Sequence, residues 1–309
     1  TGDVILTMSQ RIQAAARDAL AGRRGSVVAL DPSTGGVLAL WSFPSYDPTP
    51  LAQHDQRAVQ DTWKGLLAAE GNPLLPRAFR QRYAPGSTFK VVTAAAALER
   101  RPDLAAKTYP VLKDLDLPRT EKNLPNFGGG RCGGQLAQLL KVSCNTGFAQ
   151  LGLDLGAGDL SGEARDFGFG EQPPLDLPSP ARSVFPDAGA FERNEPALAN
   201  SAIGQQDVAA SPLQMALVAA AVANGGVIMK PHVLAEVRDA DENVVRSYTP
   251  EPWRRAMTPE TAATLRDMMI AVVNGGTATR AAVPGVQVAA KTGTAQTVGD
   301  SAHAWIIAF

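Results

Sequence analysis

Metal-ligating residues are scarce in this chain: two cysteines and three histidines in 309 residues. Cys132 and Cys144 stand twelve positions apart with no Cys or His at ligand spacing, and His54, His232 and His303 are scattered. That spacing excludes the common zinc patterns, and no other cofactor is expected. Charge of one sign is lacking too. The 29 basic and 30 acidic side chains leave a net charge of −1, which provides no footprint for nucleic acid or an anionic membrane surface. The longest apolar run, MALVAAAVA from Met215 to Ala223, falls well short of the roughly 20 residues that cross a bilayer. The opening TGDVILTMSQ carries neither a basic leader nor an apolar signal core. No repeat or low-complexity tract is present. What remains is an ordinary globular composition, 45% hydrophobic and 19% charged, with room for one large domain or two lobes.

Periodicity divides the chain into strand-rich ends and a helical middle. Residues 3–22 read as a short strand and a helix closed by Gly22. Val27–Leu30 and Val37–Ser42 read as a hairpin turning through Asp31–Gly36. Helices are expected over Arg57–Ala69, Thr88–Arg101, Leu136–Leu153, Pro212–Ala223 and Pro259–Val273. The proline-rich stretch 171–197 reads as a long loop. Strand-like runs return in VIMKPHVLAEVRD, VQVAAKTGTAQT and AHAWIIAF. The expected class is α+β: an antiparallel sheet built from the N- and C-terminal segments, flanked by helices, with an inserted helical lobe.

Within YAPGSTFKVV, Pro85 and Gly86 form a turn that launches a helix near Ser87, and Lys90 follows three residues later on the same face. The pair is either a helix cap with a solvated lysine or a nucleophile with its base. Two further stretches are equally ambiguous alone. Ser143 and Asn145, in VSCNTG, are of types that cap and turn for local reasons. Lys291, Thr292, Gly293 and Thr294 suit a solvated strand, with Lys291 and Gly293 on one face and the threonines on the other, unless the glycine marks the close approach of another backbone. Cys132 and Cys144 are either a disulfide, worth roughly 3 kcal/mol through loop-closure entropy and implying an oxidising compartment, or two buried thiols.

In order, S-x-x-K, S-x-N and K-T-G make the signature of serine acyl transfer on β-lactamase-like and penicillin-binding proteins. The flanking stretches YAPGSTFKVVTAAAALE, VSCNTGFAQLG, SAIGQQDVAASPLQMALVAAAVANGG, GGTATRAAVPGVQVAAKTGTAQT and HAWIIAF closely resemble the transpeptidase domain of class B penicillin-binding proteins from about residue 3 onward. The cysteine inside S-x-N and the Gly-rich loop before it are most similar to the actinobacterial penicillin-binding protein A subgroup.

The resemblance implies a penicillin-binding, serine β-lactamase-like transpeptidase fold over residues 1–309. It implies a D,D-transpeptidase that cross-links peptidoglycan stem peptides through a Ser87 acyl-enzyme formed from D-Ala-D-Ala and is inhibited covalently by β-lactams. Lys90 would be the base. Since its ordinary pKa of about 10.4 leaves only about one lysine in a few thousand neutral at pH 7, burial and the second cation Lys291 must depress it. Ser143 would relay a proton, Asn145 would hold the substrate amide, and Lys291 with Thr292, Gly293 and Thr294 would receive the terminal carboxylate. The backbone N–H groups of Ser87 and Thr294 would form the oxyanion hole. Family members also imply an N-terminal membrane anchor and pedestal domain, a closing strand and helix beyond residue 309, an extracytoplasmic location and a glycosyltransferase partner. Ala290 and Gln206 stand where many relatives have glycine, and each is expected to narrow the cleft slightly.

Rival readings are a D,D-carboxypeptidase, a serine β-lactamase, for which Glu195 in NEPALANSAIG stands one residue out of the deacylating spacing, and a β-lactam sensor or cell-wall scaffold without turnover. His303 and Trp305 could line the cleft or simply pack.

Overall fold

The computed structural model describes residues 2–296 and 302–309. Helix Lys90–Arg100 lies at its centre, with every side chain from Lys90 to Ala97 buried. A periodic apolar face suggests a helix lying on a surface, but alanines at 94–97 permit close neighbours on all sides, and the helix is enclosed. Helix Pro212–Ala223 is buried in the same way, and its first turn is capped by Ser211 Oγ accepting from Gln214 N at 3.1 Å.

Strands frame this core as expected, in separate antiparallel sets. Gly25–Leu30 pairs with Val37–Phe43, and helix Gln10–Leu20 packs on that hairpin. Ala290–Gln296 pairs with Ala302–Ala308 in unbroken register, Lys291 opposite Ile307 and Gly293 opposite Trp305. No ladder joins these two hairpins among the described residues; helix Pro212–Ala223 contacts both. The run that begins at Val227 divides: Val227–Met229 pairs with Pro252–Arg255, whereas Leu234–Arg238 lies between Asp3–Leu6 and Val244–Ser247.

The expected helix Leu136–Leu153 needs correction. It breaks into Leu136–Val142 and Asn145–Asp166, because Ser143 takes the left-handed conformation (φ 58°, ψ 43°) and Cys144 is extended. Strand formation begins at Ala290 rather than Val286. Stretch 171–197 is largely irregular, with a 3-10 turn at Ala188–Phe191 and a helix already starting at Glu195. Two short hairpins, Tyr109–Leu112 with Cys132–Gly134 and Asp114–Asp116 with Asn123–Pro125, lie inside the helical lobe. Three-residue strands carry too little alternation to be recognised in sequence. Helix Asn145–Asp166 bends at Gly156 (φ 76°), and its far half brings Glu163 to Arg100 at 2.9 Å. Burial pushes that carboxyl up to about 8 despite the guanidinium.

The backbone preceding Ser87 is seated by glycines. Gly86 N donates to Gly204 O at 2.9 Å, and both residues have positive φ, 54° and 73°. A Cβ on Gly204 would lie 2.2 Å from Gly86 O, closer than any real contact. Gly204→Ala is therefore expected to lower stability by about 3 kcal/mol, combining left-handed strain with a backbone shift. Urea unfolding of the variant against wild type checks this, and a loss below about 1 kcal/mol would contradict it.

Candidate active site

Ser87 sits in a 3-10 turn, Gly86–Phe89, that runs directly into helix Lys90–Arg100. It is half-buried, while Pro85, Gly86, Thr88, Phe89 and Lys90 around it are buried. The turn is rigid on both sides: Thr88 Oγ1 donates to Pro85 O at 2.7 Å, and Trp305 Nε1 donates to Ala84 O at 3.0 Å. Trp305 thus packs against the approach to Ser87. His303 does likewise, its ring edge-on to Tyr83 at 4.8 Å.

Strand Ala290–Gln296 alternates as its sequence suggests, with Lys291, Gly293 and Ala295 buried and Thr294 exposed. Gly293 does mark a close approach. A Cβ there would meet Pro85 O and Thr88 Cγ2 at 2.9 Å, and one on Gly86 would meet Thr294 O at 2.6 Å. The strand therefore lies flush against the Ser87 turn and brings the Thr294 backbone beside it. Thr292 faces away from Lys291 and shares a 2.6 Å hydrogen bond with Thr277 Oγ1.

Ser143 and Asn145 reach the same place because of the helix break. A continuous helix would turn residues 143–145 onto divergent faces; the left-handed Ser143 instead directs both its carbonyl and its hydroxyl toward the lysines. Lys90 Nζ donates to Ser143 O at 2.8 Å and to Asn145 Oδ1 at 2.7 Å, and lies 3.4 Å from Ser143 Oγ. Lys291 Nζ donates to Ser143 Oγ at 2.9 Å and to Thr292 O at 2.8 Å. Among the described residues, Ser87 Oγ and Lys90 Nζ do not hydrogen-bond to each other. The amine is drawn toward the S-x-N turn.

Both lysines are fully buried, and among the described residues neither has a carboxylate partner. Burial, and then the neighbouring Lys291 charge, hold Lys90 well below the ordinary lysine range. Burial lowers Lys291 to about 7. A neutral Lys90 has two N–H donors, which Ser143 O and Asn145 Oδ1 satisfy, so its lone pair is left available to accept a proton.

Cys132 and Cys144 form a disulfide with Cα atoms 5.8 Å apart. It fastens the residue between Ser143 and Asn145 to strand Cys132–Gly134. Sequence reasoning missed Asn126, which is buried and works as a hub. Its Oδ1 accepts from the backbone N–H groups of Asn145 and Thr146, at 3.0 Å each, and its Nδ2 donates to Leu112 O, Lys113 O and Gly130 O. No local signal marks such a cap, because it reaches the helix from 19 residues upstream. Gln206 is exposed with φ 61°, the conformation in which glycine is unstrained, and Ala290 is buried. Glu195 pairs with Arg119 at 3.4 Å and has no hydrogen bond to Ser87, Lys90 or Ser143 among the described residues.

The sequence pattern of the family described as the penicillin binding protein transpeptidase domain matches residues 25–309. The chain is 42% identical to peptidoglycan D,D-transpeptidase PbpA of Mycolicibacterium smegmatis and 39% identical to the protein of the same name from Mycobacterium tuberculosis. In each case all of this chain is covered, and 64% of the relative. It therefore spans about two thirds of the length of those curated relatives. The solved structure of penicillin-binding protein A from M. tuberculosis as a ceftriaxone acyl-enzyme superimposes with a TM-score of 0.91 at 38% identity, covering 100% of this chain and 71% of that one.

The depressed lysines have a consequence for stability. Lys291 binds its proton up to an ordinary 10.5 when unfolded but only to about 7 when folded. Between those values the unfolded chain holds more protons, so stability rises with pH. From pH 7 to pH 9 this contribution should grow by about 2 kcal/mol. Urea unfolding at the two pH values should show that rise in wild type and a smaller one in Lys291→Met; equal slopes would contradict the assignment.

Proposed function

The chain belongs to the penicillin-binding protein transpeptidase domain family, and from that premise we propose that it is the catalytic part of a peptidoglycan D,D-transpeptidase with Ser87 as its nucleophile. One observation carries the reading: residues from all three motifs converge on two buried amines, Lys90 and Lys291, that share the Ser143 hydroxyl. Two lysines buried without carboxylates are costly to a fold and useful to a base.

In this reading neutral Lys90 takes the Ser87 proton as Oγ attacks the penultimate carbonyl of a D-Ala-D-Ala stem peptide. The C–O ester bond forms, and the C–N bond to the terminal D-Ala breaks. The leaving amine receives a proton through Ser143, whose hydroxyl lies between the two lysine amines. Backbone N–H groups of Ser87 and Thr294 hold the developing oxyanion; the contact between Gly86 and Thr294 supports their proximity. Asn145 spends one Nδ2 hydrogen on Pro125 O and keeps the other for the substrate amide. Lys291, with Thr292, Gly293 and Thr294, receives the carboxylate. The amine of a second stem peptide then displaces Ser87, completing the cross-link. A β-lactam would enter by the same first step and stay as an ester.

Glu195, already paired with Arg119, gives little support to the β-lactamase alternative. The disulfide is consistent with an extracytoplasmic setting. A membrane anchor, a pedestal domain and a glycosyltransferase partner are proposed for the full-length protein.

Intact-mass spectrometry after adding benzylpenicillin tests the assignment. Wild type should gain one penicillin mass and keep it, Ser87→Ala should gain none, and Lys90→Met should react at least about 100-fold more slowly. An adduct on Ser87→Ala would sink the assignment, and rapid loss of the wild-type adduct would favour a β-lactamase. Supplying a D-amino acid amine with a D-Ala-D-Ala substrate separates transfer from hydrolysis.

A further inference from the structure

Thr277 is exposed and follows closely on the end of helix Pro259–Gly275. Its backbone is fixed from two sides. Gly276 N and Ala278 N both donate to Val272 O, at 3.0 and 3.1 Å, and Thr277 N donates to Lys141 O at 3.3 Å. A Cβ on Gly276 would lie 2.3 Å from that same Lys141 carbonyl. The segment is therefore pressed against helix Leu136–Val142, the helix that ends at Ser143. From this seat Thr277 Oγ1 reaches Thr292 Oγ1 at 2.6 Å, a hydrogen bond in which either hydroxyl can be the donor. Thr292, half-buried, is the nearer to the strand that carries Lys291 and Gly293.

A hydroxyl has one proton to donate, and a carboxylate only accepts. For Thr292 to hold the terminal carboxylate of the acyl donor, it must give that group its proton. The bond to Thr277 must then run the other way, with Thr277 donating to Thr292. Two hydroxyls so arranged polarise one another, and the Thr292 proton is turned to the anion instead of being spent on its neighbour. We propose that Thr277 is a positioning residue for carboxylate recognition: it acts through the Thr292 hydroxyl, without itself touching the carboxylate or the reacting atoms. This rests on the Ser87 reading above. Its effect belongs to the charge of the donor, so it should be felt by donors that carry the carboxylate and not by those in which it is masked.

The test compares second-order acylation constants for benzylpenicillin, which carries a free carboxylate, and for its methyl ester, which does not. Thr277→Val should slow benzylpenicillin about fivefold, the size of one net hydrogen bond, and change the ester by less than about twofold. Thr277→Ser keeps the hydroxyl and should stay within about twofold of wild type for both. In a Thr292→Val background, Thr277→Val should have no further effect, since the hydroxyl it acts through is gone. An unchanged constant for benzylpenicillin in Thr277→Val would overturn the inference. So would equal slowing of acid and ester, which would mean that the segment acts through the shape of the site, and so would full additivity with Thr292→Val, which would make Thr277 a direct ligand. Failure of wild type to react with benzylpenicillin would instead remove the Ser87 assignment and this inference with it.

Discussion

The Lys90 amine, buried and donating to Ser143 O and Asn145 Oδ1, is the contact on which the rest of the structure depends. An ammonium placed there without a carboxylate is strongly disfavoured, so the fold that buries it also holds its pKa well below the ordinary lysine range. Everything that closes around it maintains that condition: the alanine-rich helix enclosed on all sides, the break at Ser143, and the strand bearing Lys291.

Three backbone segments distant in sequence must meet within van der Waals distance for this to happen. Glycines allow it at Gly86, Gly204 and Gly293, where a methyl group would meet a neighbouring backbone atom at under 3 Å. The third motif's glycine is thus a packing requirement: Lys291 reaches Ser143 because Gly293 lets its strand lie on the turn that carries Ser87. On the opposite side, Asn126 and the disulfide hold the Ser143–Asn145 turn, so the hydrogen-bond acceptors for Lys90 are fixed before any substrate arrives.

Much of this was legible in the sequence. The Pro85-Gly86 turn, the same-face relation of residues 87 and 90 and the alternation along Lys291–Thr294 are all local, and local chemistry decides them; the close approach at Gly293 was left open beside a solvated strand, because it depends on the distant Pro85 and Thr88. The family resemblance ordered them into one site. What was hidden is non-local. The helix break at Ser143 runs against the propensity of LLKVSCNTGFAQLG, and tertiary hydrogen bonds to two lysines outweigh it. Asn126 could not be found, because its cap acts across a loop. The expected direct pairing of Ser87 with Lys90 is not a hydrogen bond here, since helical spacing sets which residues share a face but not which acceptor a long side chain prefers.

The central claim is that burial first, and the neighbouring Lys291 charge second, hold Lys90 well below the ordinary lysine range. The most direct measurement follows the Cε resonances of ¹³C-labelled lysine from pH 5 to pH 11, with Lys90→Met and Lys291→Met for assignment. The account predicts that the Lys291 signal titrates near 7 and the Lys90 signal far below the ordinary lysine range, moving upward when Lys291 is removed. A Lys90 signal titrating at about 10, like those of solvent-exposed lysines, would contradict it.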